Sequence, residues 1–203
     1  MEPIASRNQT MLRGSLLELP AFSHENHGKV FYRFTLEVER LSGTRDILPV
    51  IAAQELLDTI DLSGGSRIRV RGEIRSYNSR TENIRRLHIF IFALELTVCE
   101  GEAENEVFLS GTVCKEPIFR RTPLGREICD VMLAVPRAYH RSDYLPCILW
   151  GRTAQEAARC AVGDALSLQG RMQSRNYQKL TEKGLELRTA YEISALSAQV
   201  ETL

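Results

Sequence analysis

The chain has 203 residues, of which 43% are hydrophobic and 26% charged, the proportions of a folded globular protein and not of a disordered one. Acidic and basic side chains number 26 each, so bulk charge neither demands nor excludes a polyanionic partner. No apolar run reaches the roughly 18 residues of a membrane span and no signal peptide is evident, so a cytoplasmic protein without a membrane partner is expected. In chain order, an alternating strand over Met11 to Leu19 comes first. A turn-rich stretch then leads to a second strand, Val30 to Arg40, and a short third one, Asp46 to Ala52. The helix candidate "AQELLDTI" follows, and "SGG" opens a long fourth strand and then a fifth, Ile84 to Val98. After the acidic stretch "CEGEAENE" the same order recurs. Its strands are Val107 to Lys115, Glu127 to Pro136 and Asp143 to Trp150, then "RTAQEAARCA" as helix, and after "VGD" a long strand and Leu185 to Leu196.

The recurrence is a duplication. "NQTMLRGSL" from Asn8 resembles "NEVFLSGTV" from Asn105. Gly14 pairs with Gly111, Gly28 with Gly125, Leu36 with Leu133, Arg40 with Arg137, and Asp46 with Asp143, all at an offset of 97. Farther on, Gly72 pairs with Gly170 and Ser76 with Ser174 at an offset of 98, which one inserted residue explains. Two domains are expected, 8–98 and 107–198, joined by a linker over 99–106. Five strands with a helix between the third and fourth is the order of an OB-fold barrel. The expected class is therefore all-β, with one short helix per domain, as two tandem five-stranded OB-fold barrels.

Chemistry is sparse. The five cysteines, Cys99, Cys114, Cys129, Cys147 and Cys160, form no C-x-x-C pair, and Cys129 and Cys147 fall inside apolar strands as small hydrophobes. His24 and His27 in "HENH" have no third ligand nearby. There is no phosphate loop and no nucleophile motif, so neither an enzyme nor a cofactor is expected. Lysine occurs four times, leaving 22 arginines, whose planar fork suits phosphate and flat rings; a GC-rich genome would produce the same bias.

Strand faces carry more. Residues two apart share a face. In "DALSLQGRMQSRNYQK", Leu166, Leu168, Gly170, Met172 and Ser174 form a core row, with Gly170 at a barrel bend. The opposite face carries Ser167, Gln169, Arg171, Gln173, Arg175, Tyr177 and Lys179. In the first copy Ile68, Val70, Gly72 and Ile74 face inward, while Arg67, Arg69, Arg71, Glu73, Arg75 and Tyr77 face outward. Such faces suit a phosphate backbone, or else serve as solvated, aggregation-blocking edges. In "YLPCILW", Leu145, Cys147 and Leu149 form a core row, and Tyr144, Pro146, Ile148 and Trp150 form the outward one. Pro146 lacks an amide hydrogen, which places this strand at an edge or bulge, as Pro49 does in the first copy.

These residues bring a known family into view. "LPCILWGRTAQEAARCAVGDALSLQGRMQSRNYQ" resembles the bacterial single-stranded-DNA-binding protein (SSB) family, in which a strand ending aromatic-Gly-Lys/Arg precedes a helix and a "G-x-x-x-x-x-G-x-(L/M)-x-(T/S)-R" strand. "NEVFLSGTVCKEPIFRRTPLGREICDVMLAVPR" resembles that family's two opening strands. The resemblance covers Asn105 to Ser194, and the first copy joins it through its likeness to the second. It implies sequence-tolerant single-stranded DNA binding in replication, recombination or repair. Trp150, Tyr144 and Tyr177 would be the stacking rings, Tyr139 a further one in the loop after the second strand. Arg152, Arg171 and Arg175 would be phosphate contacts, with Lys179 continuing their face.

In the first copy Ala53 stands where Trp150 stands, and Ser42 lies opposite Tyr139. Tyr77 is then its one expected ring, and Arg67, Arg69, Arg71 and Arg75 its charge. A homodimer would supply the four OB domains usual in the family. The last residues read "SALSAQVETL", so recruitment through the family's acidic tip is not expected. RNA would fit the same stacking surfaces. The alternative is a primosome-type adaptor acting mainly through contacts with replication or recombination proteins.

Overall fold

In a computed structural model, residues 8–81, 84–181 and 184–201 are described. The first half holds β1 (Asn8–Leu16), β2 (Ala21–Asn26), β3 (Lys29–Glu39), β4 (Arg45–Ala53), α1 (Gln54–Leu57), β5 (Arg67–Thr81) and β6 (Ile84–Val98). The second holds β7 (Glu104–Val113), β8 (Ile118–Arg121), β9 (Glu127–Arg137), β10 (Arg141–Trp150), α2 (Gly151–Ala157), β11 (Ala165–Thr181) and β12 (Gly184–Glu201). Each half is an OB-fold barrel: three antiparallel strands, a helix, then a long hairpin, with the third strand closing on the last in parallel. Two features differ from the expectation. The turn-rich stretches contain short strands, β2 and β8, which extend β3 and β9 as hairpins. Glu104, Asn105 and Glu106, expected in the linker, already belong to β7, because they find partners on β1 at Arg13, Leu12 and Met11.

Alternation of apolar and polar residues fixes which face each strand buries. Leu12 and Leu16, Phe34, Leu36 and Val38, Leu48 and Val50, Ile68 and Val70 fill the first barrel; Leu133, Leu145, Cys147, Leu149, Leu166 and Met172 fill the second. Gly72 and Gly170 sit at the register shifts of β5 and β11. A Cβ at either would lie 2.3 Å from the carbonyl oxygen of Phe92 or Ser194, so the bend needs glycine for close approach.

The halves form one 12-stranded sheet through antiparallel β1–β7 pairing. The join has a pseudo-twofold axis, visible in matched side-chain bonds. Asn8 accepts from and donates to Ile74 backbone groups (2.9 and 2.8 Å), and Asn105 does the same for Met172 (3.0 and 2.8 Å). The Asp46 carboxylate accepts from the Ser174 N–H (2.8 Å), and Ser174 Oγ accepts from the Ile47 N–H (2.9 Å). Reciprocally, Asp143 accepts from the Ser76 N–H and Ser76 Oγ from the Tyr144 N–H, both at 2.7 Å.

This explains the prolines. β10 is not an edge strand in the sheet order, but its pairing to β12 begins only at Cys147. Before that point the free side of β10 is met by β5 of the other domain through side chains, so Pro146 interrupts no ladder. Pro49 stands likewise just ahead of the β4–β6 pairing, which begins at Val50.

Candidate nucleic-acid interface

β10 presents the expected two rows. Leu145, Cys147 and Leu149 are fully buried, while Tyr144 and Trp150 are 45% and 38% exposed on the other face. Trp150 is anchored by one edge: its Nε1 donates to Ser194 Oγ on β12 at 3.0 Å, leaving part of the ring face to solvent. Gly151 follows at φ +54°, a left-handed conformation that turns the strand straight into α2. Thr153 Oγ1 donates back to the Trp150 carbonyl at 2.8 Å and holds that corner. Arg152 projects from the first turn of α2, almost fully exposed, with only Glu156 beside it at 2.9 Å. Such a surface pair holds weakly, so its guanidinium remains available to a phosphate.

The β11 side chains divide. Arg175 lies 5.8 Å above the Tyr177 ring, a cation–π arrangement on the exposed hairpin. Tyr177 and Lys179 line a cleft of about 280 Å³ together with Pro146, Arg188 and Tyr191, and Arg86 of the first domain forms its far wall. Pro146 belongs to the Tyr144–Trp150 row, so the cleft continues that face. Arg171 lies elsewhere. With its amide oxygen turned inward, Gln173 accepts from Arg171 Nε and Nη2 (2.6 and 3.0 Å), and Arg171 lines a cleft at the domain join together with Arg67 and Arg40. Tyr139 is 91% exposed at the tip of the β9–β10 turn, held at φ +62° next to His140 at +54°.

The first-copy arginines are largely engaged. Arg69 and Arg13 both bind Glu104, Arg71 binds Glu95, and Arg75 binds Glu73 and the buried Asp143. Arg71 and Arg75 line a second cleft at the join, with Arg137, related by pseudo-symmetry to the one holding Arg67 and Arg171. Arg69 and Arg75 therefore brace the two domains, and the β5 arginines are not brought together with Trp150.

Sequence reading also missed rings. The alternation in "HIFIF" buries Ile89 and Ile91 and turns His88, Phe90 and Phe92 outward. Tyr77 is thus not the lone ring of the first domain. It stacks flat on His88 (centroids 4.6 Å apart, 7°) and meets Phe90 edge-on at 6.0 Å. His24 stacks on Phe31 with centroids 4.9 Å apart.

Electrostatics on the second face are mixed. Glu192 lies on β12 between Gln173 and the Trp150–Ser194 pair. Burial pushes its carboxyl up from the ordinary range, with Arg175 the main opposing influence. Burial, aided by Arg86, holds His88 below the ordinary imidazole range, so its ring is uncharged at neutral pH.

Comparison with known proteins accords with this geometry. Residues 104–201 match the model of the single-strand binding protein family. Single-stranded DNA-binding protein B of Bacillus subtilis is 34% identical over 90 residues, which cover 41% of this chain and 78% of that protein. The single-stranded DNA-binding protein of Bacillus cereus is 30% identical over 106 residues, covering 49% of this chain and 59% of that one. Single-stranded DNA-binding protein 2 of Listeria innocua is 33% identical over 81 residues, 51% of its length, so the chain spans about half to three-fifths of the longer relatives it matches. The wild-type single-stranded DNA binding protein of Thermus aquaticus superposes with a TM-score of 0.80 at 22% identity, over 98% of this chain and 94% of that one. That overlay extends across both halves and shows a shared tandem fold. By the sequence of its second half, the chain belongs to the single-strand binding protein family, a family of DNA-binding proteins and not of enzymes.

Proposed function

We propose that this chain binds single-stranded DNA with little sequence preference, in replication, recombination or repair. The observation that carries the reading is the outward row of β10. Tyr144 and Trp150 sit over a rigid core row, and the row runs on into a cleft bearing Tyr177, Lys179 and Arg188. Exposed rings along one strand face with cations at their margin suit unpaired bases and their phosphates, and not a duplex groove. The B. subtilis and B. cereus relatives are named for single-stranded DNA binding, which favours this reading over the adaptor alternative. Within it, Tyr144, Trp150 and Tyr177 stack bases, Tyr139 adds a ring from its turn, and Arg152, Arg175 and Lys179 meet phosphates. Arg67, Arg69, Arg71, Arg75 and Arg171 act mainly at the domain join. A cytoplasmic homodimer with four OB domains belongs to the same proposal, and sedimentation velocity tests it: a mass of two chains is expected, and a single-chain mass at micromolar concentration removes the dimer.

Trp150 is the sole tryptophan, so its emission reports its own site. Titration with oligo-dT should quench it. Trp150→Ala should weaken binding about five- to 150-fold, the equivalent of ~1–3 kcal/mol for one stacked base. Unchanged emission at saturating oligo-dT removes Trp150 from the interface.

A further inference from the structure

We infer that Glu192 is a base-reading residue: its carboxylate accepts a hydrogen bond from the exocyclic amino group of a base lying on the β10 row, which gives the second domain a preference for cytosine over uracil or thymine. The inference rests on the chain being a single-strand binder, and it names the part of a base that this face can tell apart.

Register puts the carboxylate beside the ring row. Tyr144 and Trp150 lie about 20 Å apart along β10, with Pro146 and Ile148 between them on the same face. Cys147 pairs with Ile193 and Ile148 with Ser194 in parallel, so Glu192, one step back, stands alongside Pro146. Ile193 is fully buried, which turns Glu192 and Ser194 to the outer face. Ser194 is the residue that anchors the Trp150 edge. A base held on or between the two rings presents an edge toward β12, where Glu192 stands.

The carboxylate has no bond of its own to keep. Among the described residues none donates a hydrogen bond to it and none forms an ion pair with it; Arg175, Arg120 and Arg40 act on it from longer range. Burial pushes it up from the ordinary range, as befits an anion without a close partner. The other polar groups on this face are committed. Asp130, which pairs with Ile148 from the far side of β10, accepts from Arg120 Nε and Nη2 at 2.7 and 3.2 Å. Trp150 Nε1 is taken by Ser194. Glu192 is therefore the acceptor left to a ligand. In the first domain the residue ahead of Ile91, as Glu192 is ahead of Ile193, is Phe90, which can accept nothing.

A carboxylate on a surface that meets phosphates repels them. What it offers in return is an acceptor for an amino group, since an ionised carboxylate accepts and does not donate. Cytosine carries an N4 amino group, whereas uracil and thymine turn the O4 carbonyl oxygen to the same place. The amino group pairs with Glu192. The carbonyl sets two acceptors face to face and leaves both unsatisfied.

The test compares oligo-dC with oligo-dU of equal length at pH 7.5 and one salt concentration, with Trp150 emission as the readout. Uracil differs from cytosine only at position 4 and in the proton on N3, and both oligomers carry the same phosphates, so charge repulsion cancels in the ratio of their affinities. Glu192→Ala removes the acceptor. Glu192→Gln keeps its size but offers an amide that donates to O4 as readily as it accepts from N4. In both variants the dC:dU affinity ratio should fall about three- to tenfold below that of the wild type, the size of one hydrogen bond at a half-exposed site. A ratio within about twofold of the wild-type value in either variant overturns the inference. It leaves the proposed function standing, since both oligomers still quench Trp150. A wild type that binds neither oligomer overturns both.

Discussion

Replacing Asp143 by alanine should cost the chain about 3 kcal/mol of stability by unlocking one half of the domain join. The Asp143 side chain is fully buried. It accepts from the Ser76 N–H at 2.7 Å, from Arg75 Nη1 at 3.1 Å, and faces Arg137 Nη1 at 3.5 Å. Alanine leaves a buried N–H unpaired, a loss of about 1–3 kcal/mol, and strips a buried charge from its partners, for which roughly 3–5 kcal/mol is usual. Arg75 and Arg137 keep partial access to water, which favours the lower end. Asp143→Asn retains an acceptor for Ser76 and should cost about half as much. Urea unfolding measures both. With a slope of about 2 kcal/mol per molar, the alanine midpoint should fall by roughly 1.5 M. A fall of less than about 0.3 M at unchanged slope would show that the carboxylate does not hold the domains, and the argument fails.

Three further outcomes follow from single side chains. Burial raises the Glu192 carboxyl, so the folded chain gains as pH falls through that raised value and the face beside Trp150 loses a negative charge. Oligo-dT affinity at constant salt should therefore rise from pH 7 toward pH 5. Glu192→Gln should bind more tightly at pH 7 and lose part of that slope, and an identical slope in the variant refutes the assignment. Gly170→Ala places a Cβ 2.3 Å from the Ser194 carbonyl and should destabilise by about 1–3 kcal/mol in thermal unfolding; a change under ~0.5 kcal/mol contradicts the close approach. Burial pushes the Cys129 thiol up to about 11 and the Cys147 and Cys160 thiols up as well, which suppresses their thiolates. A disulfide reagent should label these three only after denaturation, and rapid native labelling of Cys129 or Cys147 counts against the packing.

The barrels were legible because strand alternation has a period of two and the duplication supplied each pattern twice. Leu145, Cys147 and Leu149 against Tyr144 and Trp150 needed no structure to separate. Gly170 was legible as a bend for the same reason. The arginines of β5 were not. Alternation places Arg69, Arg71 and Arg75 outward, but it cannot say that Glu104, Glu95 and Asp143 arrive from other strands to neutralise them. Asp46 and Ser174 lie 128 residues apart, and their bond exists only because β4 crosses β11. Phe90 and Phe92 were within reach, since "HIFIF" alternates plainly. The likeness between the copies does not point to them, because the second copy has Glu192 and Ser194 at the matching positions.

The locks at the join explain where the two copies have diverged. Asp143 bonds Ser76 and Asp46 bonds Ser174, so each copy's aspartate depends on the other copy's serine. A change in one member unpairs a buried group in the opposite domain, and restoring it needs a second change some 67 or 128 residues away. Asn8 and Asn105 make matched bonds within their own barrels, to Ile74 and Met172, beside the join. No such coupling is seen at the outward positions where the two copies exchange rings. There Ala53 stands against Trp150, Phe92 against Ser194, Phe90 against Glu192 and Arg33 against Asp130, each exchange altering one face and leaving the other domain's bonds intact. The join is therefore symmetric and the faces are not. A strand laid across one chain meets an anchored tryptophan with an acidic neighbour on one domain and a cluster of phenylalanine, tyrosine and neutral histidine on the other. The two domains should thus differ in affinity, in salt dependence and in response to pH, even though their strand orders match.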